Sequence, residues 1–159
     1  YRRDYAAMQR FGWAFFLVNV VGFVVYHLYP AAPPWYYHAH GCVVDVATQA
    51  SPGPSLVRVD QILGVPYFQG FYGRSNDVFG AMPSLHVAYP MLIVLYGVPR
   101  LPTTWRWLAI AFLVDMVCAA VYLDHHWILD VVIGLALSTA CAWVVDLVDG
   151  RRLRLPVAS

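Results

Sequence analysis

The sequence predicts an all-α, helical integral membrane protein with about four transmembrane helices and one long interfacial loop. Three observations carry that prediction. The 159 residues are 60% hydrophobic and only 12% charged, about half the charge of an ordinary soluble domain, and the mean hydropathy is +0.58. The apolar residues gather into runs near the roughly 20 residues that cross a bilayer as a helix. Arginines cluster beside the ends of those runs, as they do on the cytoplasmic side of membrane helices. The formal net charge of +1 leaves no basic surface for nucleic acid. The basic residues are all Arg and the acidic ones all Asp, a composition bias without a chemical reading. Cys42, Cys118 and Cys141 show no CxxC spacing, so neither a disulfide framework nor a zinc site is indicated. No repeat, low-complexity tract or signal-peptide pattern appears, and residues 1–159 read as one membrane-embedded domain.

The first run, FGWAFFLVNVVGFVVYHLY from Phe11 to Tyr29, has spanning length and one strongly polar interior residue, Asn19. About fifty residues follow, Pro30 to Pro83, rich in Pro, Gly and aromatics. Loops beyond about 12–15 residues are usually functional or disordered, and aromatics favour the membrane interface. An ordered interfacial segment is predicted, with a short helix around Leu56 to Leu63. The run SLHVAYPMLIVLYGV, Ser84 to Val98, is shorter, and Pro90 should kink it. It reads as a span because the chain must cross back. Trp105 to about Leu123 and Ile128 to about Val148 are the third and fourth spans.

Crossing parity then sets two faces. Arg2, Arg3 and Arg10 precede the first helix, Arg100 and Arg106 separate the second and third, and Arg151, Arg152 and Arg154 follow the fourth. With four crossings all three groups share one face, the cytoplasmic one. The long loop, the start of the second helix with Ser84 and His86, and the turn YLDHHWILD, Tyr122 to Asp130, share the opposite face. Two separate histidine-bearing segments therefore converge.

In that turn His126 and Asp130 stand four residues apart and share a helix face. The carboxylate can accept Nδ1–H of the imidazole and leave Nε2 free as a nucleophile. His86 just inside a helix start joins a second imidazole to backbone N–H groups and a positive dipole end, which suit phosphate. The set fits phosphoryl transfer through a phosphohistidine. Plainer roles stand beside it. An interfacial histidine can be structural, Asp130 can be a favourable first-turn charge, and the histidines could ligate a metal with Asp124 or Asp130. No Cys or Glu completes a closed metal site, and ionisable groups at membrane depth usually carry function. Asp115 lies seven residues before Tyr122, about 10 Å deeper at the helical rise. It is outside the site, with a hydrogen bond inside the bundle as its expected role.

GAMPSLH (Gly80 to His86) and YLDHHWILD resemble the second and third signature motifs of the type 2 phosphatidic acid phosphatase superfamily. YPAAPPWYYH (Tyr29 to His38), SPGPSLVRVDQILG (Ser51 to Gly64) and VFGAMPSLH (Val78 to His86) are similar in order and spacing to its inositol phosphorylceramide synthase branch. The resemblance implies His126 as nucleophile, Asp130 as its orienting carboxylate and His86 as acid and base. It implies phosphate contacts from Arg58, through a bidentate fork, from Ser84 and, more weakly, from Arg74. A solvated loop charge is the alternative for Arg58. Asp124 and His125 are near the site without an assigned role. The family's first motif, with its Lys and Arg-Pro pair, is absent, and its Ser-Arg pair falls on Ala119 and Ala120. Superfamily members usually have six helices, so two N-terminal ones are expected to precede this stretch, which opens at Tyr1.

The expected activity is transfer of a phosphate-containing headgroup, inositol phosphate from phosphatidylinositol to a ceramide-like alcohol, with no metal and no cofactor. The runner-up is a lipid phosphate or diphosphate phosphatase with water as acceptor. A third reading, a non-catalytic lipid-binding or scaffolding protein, would leave His126 dispensable. The partners are lipids of the bilayer, with the site on the extracytoplasmic or lumenal face. Oligomeric state and accessory membrane subunits leave no mark in the sequence.

Overall fold

In the computed structural model, residues 4–74 and 78–150 are described. They form seven helices: α1 (Tyr5–Leu28), α2 (Pro34–His40), α3 (Gly53–Leu63), α4 (Tyr67–Tyr72), α5 (Leu85–Gly97), α6 (Thr103–Tyr122) and α7 (Ile128–Val148). No strand occurs among the described residues beyond one isolated bridge, Ala31 with Gly80. The expected all-helical membrane architecture is therefore present.

Helices α1, α6 and α7 are long and apolar enough to cross a membrane. They are apolar all round, and large side chains such as Trp13, Phe23, Trp107, Ile128 and Trp143 stand exposed on their outer faces, as surfaces meeting hydrocarbon do. The fourth expected span differs. Helix α5 has 13 residues, about 20 Å at the helical rise, short of a full hydrocarbon thickness. It is the central helix, packed by α1, α6 and α7, so it is covered by protein where a lipid-facing helix would need length.

Small residues let these helices approach, the usual means of packing where the solvent is itself apolar. Ala14 and Val18 of α1, Ala88 and Leu92 of α5, and Cys141 and Ala142 of α7 make one buried cluster. Gly134 of α7 faces the start of α5, where an added Cβ would fall 2.3 Å from the Ser84 carbonyl oxygen. Asp115 does not take its expected bond. It is exposed on the outer side of α6, because α6 packs on α5 with one face and turns the other outward, with Ala120 its one buried residue.

The two ends of the bundle differ in kind. At one end Arg100 Nε lies 3.1 Å from Asp4 Oδ2, Arg10 Nη1 3.4 Å from Asp146 Oδ1, and Arg10 Nε 3.6 Å from Asp149 Oδ2. These contacts join the start of α1 to the ends of α5 and α7, as the crossing count requires. Arg2, Arg3, Arg151, Arg152 and Arg154 lie outside the described residues. At the other end the Tyr26 hydroxyl donates to the Pro83 carbonyl at 2.9 Å, and the α6–α7 turn meets the start of α5.

The long loop is a cover of three short helices. The predicted helix around Leu56 to Leu63 is α3, begun three residues earlier. Helices α2 and α4 were not predicted, since 7 and 6 residues of mostly aromatic sequence give no readable period. Tyr36 is fully buried, and its hydroxyl donates to the Val43 carbonyl at 3.1 Å and accepts from Asp45 N–H at 2.7 Å. Asp60, also buried, accepts from the N–H groups of Phe68 and Gln69 at 2.9 Å each. A carboxylate at a helix start satisfies orphan donors, so α3 fixes α4.

Candidate functional site

The turn after α6 is built from backbone geometry. Asp124 adopts φ 59°, a left-handed conformation that Asp tolerates better than most residues. The chain reverses there, and the N–H groups of His125 and His126 both donate to the Ala120 carbonyl, at 3.2 and 2.9 Å. Helix α7 then starts, and the Asp130 carboxylate accepts from Trp127 N–H at 2.8 Å. This is the return arm of a capping box; an indole has no acceptor for the other arm.

The segment before α5 is fixed from the other side. Ala31 N–H donates to the Phe79 carbonyl at 2.7 Å and Ala81 N–H to the Ala31 carbonyl at 3.1 Å. Ser84 N–H donates to the Asp130 carbonyl at 3.0 Å. The Ala81 carbonyl is thereby aimed at the α6–α7 turn, and it accepts a hydrogen bond from His126 Nδ1 at 2.7 Å. A carbonyl only accepts, so Nδ1 carries the proton and Nε2 keeps its lone pair. His126 Nε2 lies 2.8 Å from His86 Nδ1. His86 is therefore the donor in that contact.

This geometry changes the part expected of Asp130. Its Oδ2 is 3.9 Å from His126 Nδ1, too far for a hydrogen bond. The tautomer is set by Ala81, a residue the sequence did not single out because a backbone acceptor leaves no side-chain signal. Asp130 remains a buried negative charge beside the ring, able to favour positive charge on it.

The two histidines and His125 line a cavity of about 220 Å³ under the cover, together with Trp35, Tyr72 and Ala81. Trp35 N–H donates to the Asp124 carbonyl at 3.0 Å, and Trp127 Nε1 to the Ala32 carbonyl at 3.0 Å, so the cover is tied to the turn. The Tyr72 hydroxyl lies 3.0 Å from His125 Nε2. The start of α3 rests on the same turn: Gly53 has φ 73°, and a Cβ there would fall 3.3 Å from the Leu123 carbonyl oxygen. His86 keeps much of its surface open at the cavity mouth, whereas His125 and His126 are buried.

Burial governs the titration of the turn. It lowers His126 from 6.5 to about 3, with the neighbouring His86 adding to the effect. It lowers His125 to about 4, again with a contribution from His86. Burial pushes the Tyr72 hydroxyl up. Near neutral pH His126 is therefore an uncharged base with an available lone pair.

The expected phosphate contacts are not gathered here. Ser84 is fully buried and does not line the cavity, and its hydroxyl has no hydrogen-bond partner. Arg58 on α3 and Arg74 after α4 are exposed, and neither lines the cavity. The donors near the histidines are the N–H groups at the start of α5, which have no acceptor within the helix. Among the described residues no group of three or more His, Cys or Asp side chains could hold a metal.

Comparison with known proteins agrees with these motifs. The chain is 35% identical to the phosphoinositol dihydroceramide synthase of Bacteroides thetaiotaomicron over 140 residues, 86% of this chain and 45% of that protein. It is 34% identical to the inositol phosphorylceramide synthase of Candida albicans over 83% of this chain and 28% of that one. It is 32% identical to the catalytic subunit of inositol phosphorylceramide synthase of Schizosaccharomyces pombe over 91% and 33%. The chain thus spans less than half the length of these relatives. No solved structure matches it. The family model described as the PAP2 superfamily matches residues 1–144, and the chain belongs to that superfamily.

Proposed function

We propose that this chain is the catalytic domain of a membrane phosphotransferase that moves inositol phosphate from phosphatidylinositol to a ceramide-like alcohol. One observation carries the reading. A buried imidazole is held by a backbone carbonyl with its Nε2 lone pair turned to a second histidine, inside a cavity roofed by aromatic residues. The names of the three relatives supply the headgroup and the acceptor class.

In this reading His126 Nε2 attacks phosphorus and the bond to the lipid alkoxide breaks. Burial disfavours the charged form of His86 in the free site, the phosphate anion favours it, and the protonated ring gives its proton to the departing oxygen. It then takes the proton of the acceptor hydroxyl as that oxygen attacks phosphorus and the P–N bond breaks, which restores neutral His126. Asp130 favours the positive charge that the ring carries while phosphorylated. The start of α5 supplies N–H donors, and Arg58 and Arg74, with no ion pair among the described residues, supply mobile positive charge to the headgroup. The contact between His86 and His126 must open for phosphorus to reach Nε2. The site faces the extracytoplasmic or lumenal side, opposite the arginine-rich end.

Water competes for a phosphohistidine at about 55 M, so transfer requires that it be kept out, and the α2–α4 cover is placed to do so. The test is the partition of labelled inositol phosphate between lipid product and free product, with saturating ceramide present. Predominant lipid product supports the transferase. Predominant free inositol phosphate or phosphate would replace it with a hydrolase acting through the same histidines.

A further inference from the structure

His125 and Tyr72 line the cavity of the reacting histidines but take no part in the steps above. The Tyr72 hydroxyl lies 3.0 Å from His125 Nε2. His125 precedes His126 in the chain, and its ring stands 6.3 Å from that of His86, centroid to centroid, with 26° between the planes. The pair is therefore one ring away from the place where phosphorus must sit. Ser51 also lines the cavity. Its hydroxyl accepts from Gly53 N–H at 3.2 Å and keeps its own hydrogen to donate.

Together these groups are a neutral hydrogen-bonding surface. Burial keeps His125 uncharged near neutral pH. Whichever partner holds the proton of the Tyr72–His125 bond, the phenol oxygen retains a lone pair, and when it accepts from the ring it also has a hydrogen to give. A hydroxyl both donates and accepts, so a polyol matches such a surface. An ammonium only donates, and it asks for a carboxylate or for enclosing ring faces. Among the described residues no Asp lines the cavity. Tyr72 belongs to α4 of the cover, and His125 to the turn beyond the ends of α6 and α7, away from the hydrocarbon. The part of a lipid that lies there is its headgroup, whereas an acceptor alcohol arrives with its chains in the bilayer.

We propose that Tyr72 and His125, with Ser51, read the ring hydroxyls of the donor headgroup and make the protein select a cyclic polyol over an amine. The inference rests on the phosphotransferase reading above and adds which residues choose the donor. A donor without the hydroxyl they meet leaves sheltered polar groups unpaired, which costs at least about tenfold in kcat/KM. The competing role for the same contact is a plain tie between the cover and the turn.

Tyr72→Phe separates the two, because it removes the hydroxyl and keeps the ring. It is compared with wild type and with Tyr67→Phe, the same change at an exposed position of α4. The donors are phosphatidylinositol, a series of phosphatidylinositols each lacking one ring hydroxyl, and phosphatidylethanolamine. All carry the same acyl chains and a labelled phosphate, and one ceramide serves as acceptor. In wild type at least one deoxy donor is expected to lose about tenfold or more in kcat/KM. Tyr72→Phe should lose a similar factor with phosphatidylinositol and little further with that deoxy donor, so the ratio between the two falls toward one. The advantage over phosphatidylethanolamine should shrink with it, and Tyr67→Phe should keep both wild-type ratios. A loss in Tyr72→Phe that is the same for every donor makes the contact a tie and overturns the reader. Equal transfer from every deoxy donor by wild-type protein overturns it as well, whatever the folding of the variant, and leaves the transferase reading intact. Wild-type protein that transfers label from no donor refutes the transferase reading instead.

Discussion

The carbonyl oxygen of Ala81 lies 2.7 Å from Nδ1 of His126, although 45 residues separate them in the chain. The Asp130 carboxylate, only four residues away, stands at 3.9 Å. The ring is thus held by backbone and influenced by charge, and the two effects can be separated by substitution. In Asp130→Asn an amide oxygen still accepts from Trp127 N–H, so the turn should form and the protein should unfold at nearly the wild-type temperature. The lost charge is expected to lower activity by about one to two orders of magnitude. Activity equal to wild type would reduce Asp130 to a helix cap.

His86 and His126 act on one phosphorus in the proposed mechanism. Each single alanine substitution is expected to cost at least about a hundredfold in headgroup transfer, with the double substitution little worse than either, as for residues that work as a unit. His126→Ala retaining more than about a tenth of wild-type activity would end the phosphohistidine proposal.

Stability should depend on pH through the same turn. In an unfolded chain His125 and His126 titrate near 6.5; in the folded protein burial holds them at about 4 and about 3. Between those limits the unfolded chain binds more protons. Stability therefore rises with pH across the window and falls as pH drops through it. The unfolding midpoint in detergent is expected to decline from about pH 7 to about pH 4, and His125→Gln should flatten the decline. A midpoint constant over that range would mean that the rings take up protons without leaving their places.

Gly134 tests how the two histidine segments are spaced. A Cβ there would lie 2.3 Å from the Ser84 carbonyl oxygen and 3.0 Å from Val87 Cγ2, against backbone that cannot rotate away. Gly134→Ala should move the start of α5 off α7, costing about 1–3 kcal/mol as overpacking does. Activity should fall by more than the folded fraction does. Unaltered turnover would show that the spacing of His86 from His126 is set elsewhere.

The proposed orientation has a natural reporter. Cys42 is exposed on the cover, Cys118 is exposed on the lateral face of α6, and Cys141 is buried. A membrane-impermeant thiol reagent applied from outside the cytoplasm is expected to modify Cys42, and to miss a cysteine placed at Asp149. Labelling of the Asp149→Cys position alone would invert the topology.

Much of this was legible from the sequence because membranes impose length and parity. Three apolar runs fixed α1, α6 and α7, and counting crossings brought His86 and His126 to one face. What escaped was carried by backbone or by very short elements. Helices α2 and α4 are too brief to show a period, the Ala81 acceptor has no side chain to notice, and the buried Asp60 cap reads as one more loop charge. Arg58, Arg74 and Ser84 were placed by motif, and motif position does not report where a side chain ends. The shortness of α5 is legible as well, since its run is the shortest of the four; what the sequence does not display is that a helix sheltered by three others can return the chain with fewer residues.

The ion pairs of Arg10 and Arg100 all lie at the end of the bundle remote from the histidines. The histidine end is joined by carbonyls, aromatic rings and a phenol. Electrolyte weakens exposed ion pairs and leaves buried hydrogen bonds nearly untouched. Of these pairs the exposed one, Arg100 with Asp4, is the one that added salt weakens, and it stands at the end where no chemistry is proposed. A change of turnover with ionic strength, at constant folded fraction, would accordingly report on the encounter between an anionic headgroup and Arg58 and Arg74 of the cover, which have no ion pair among the described residues.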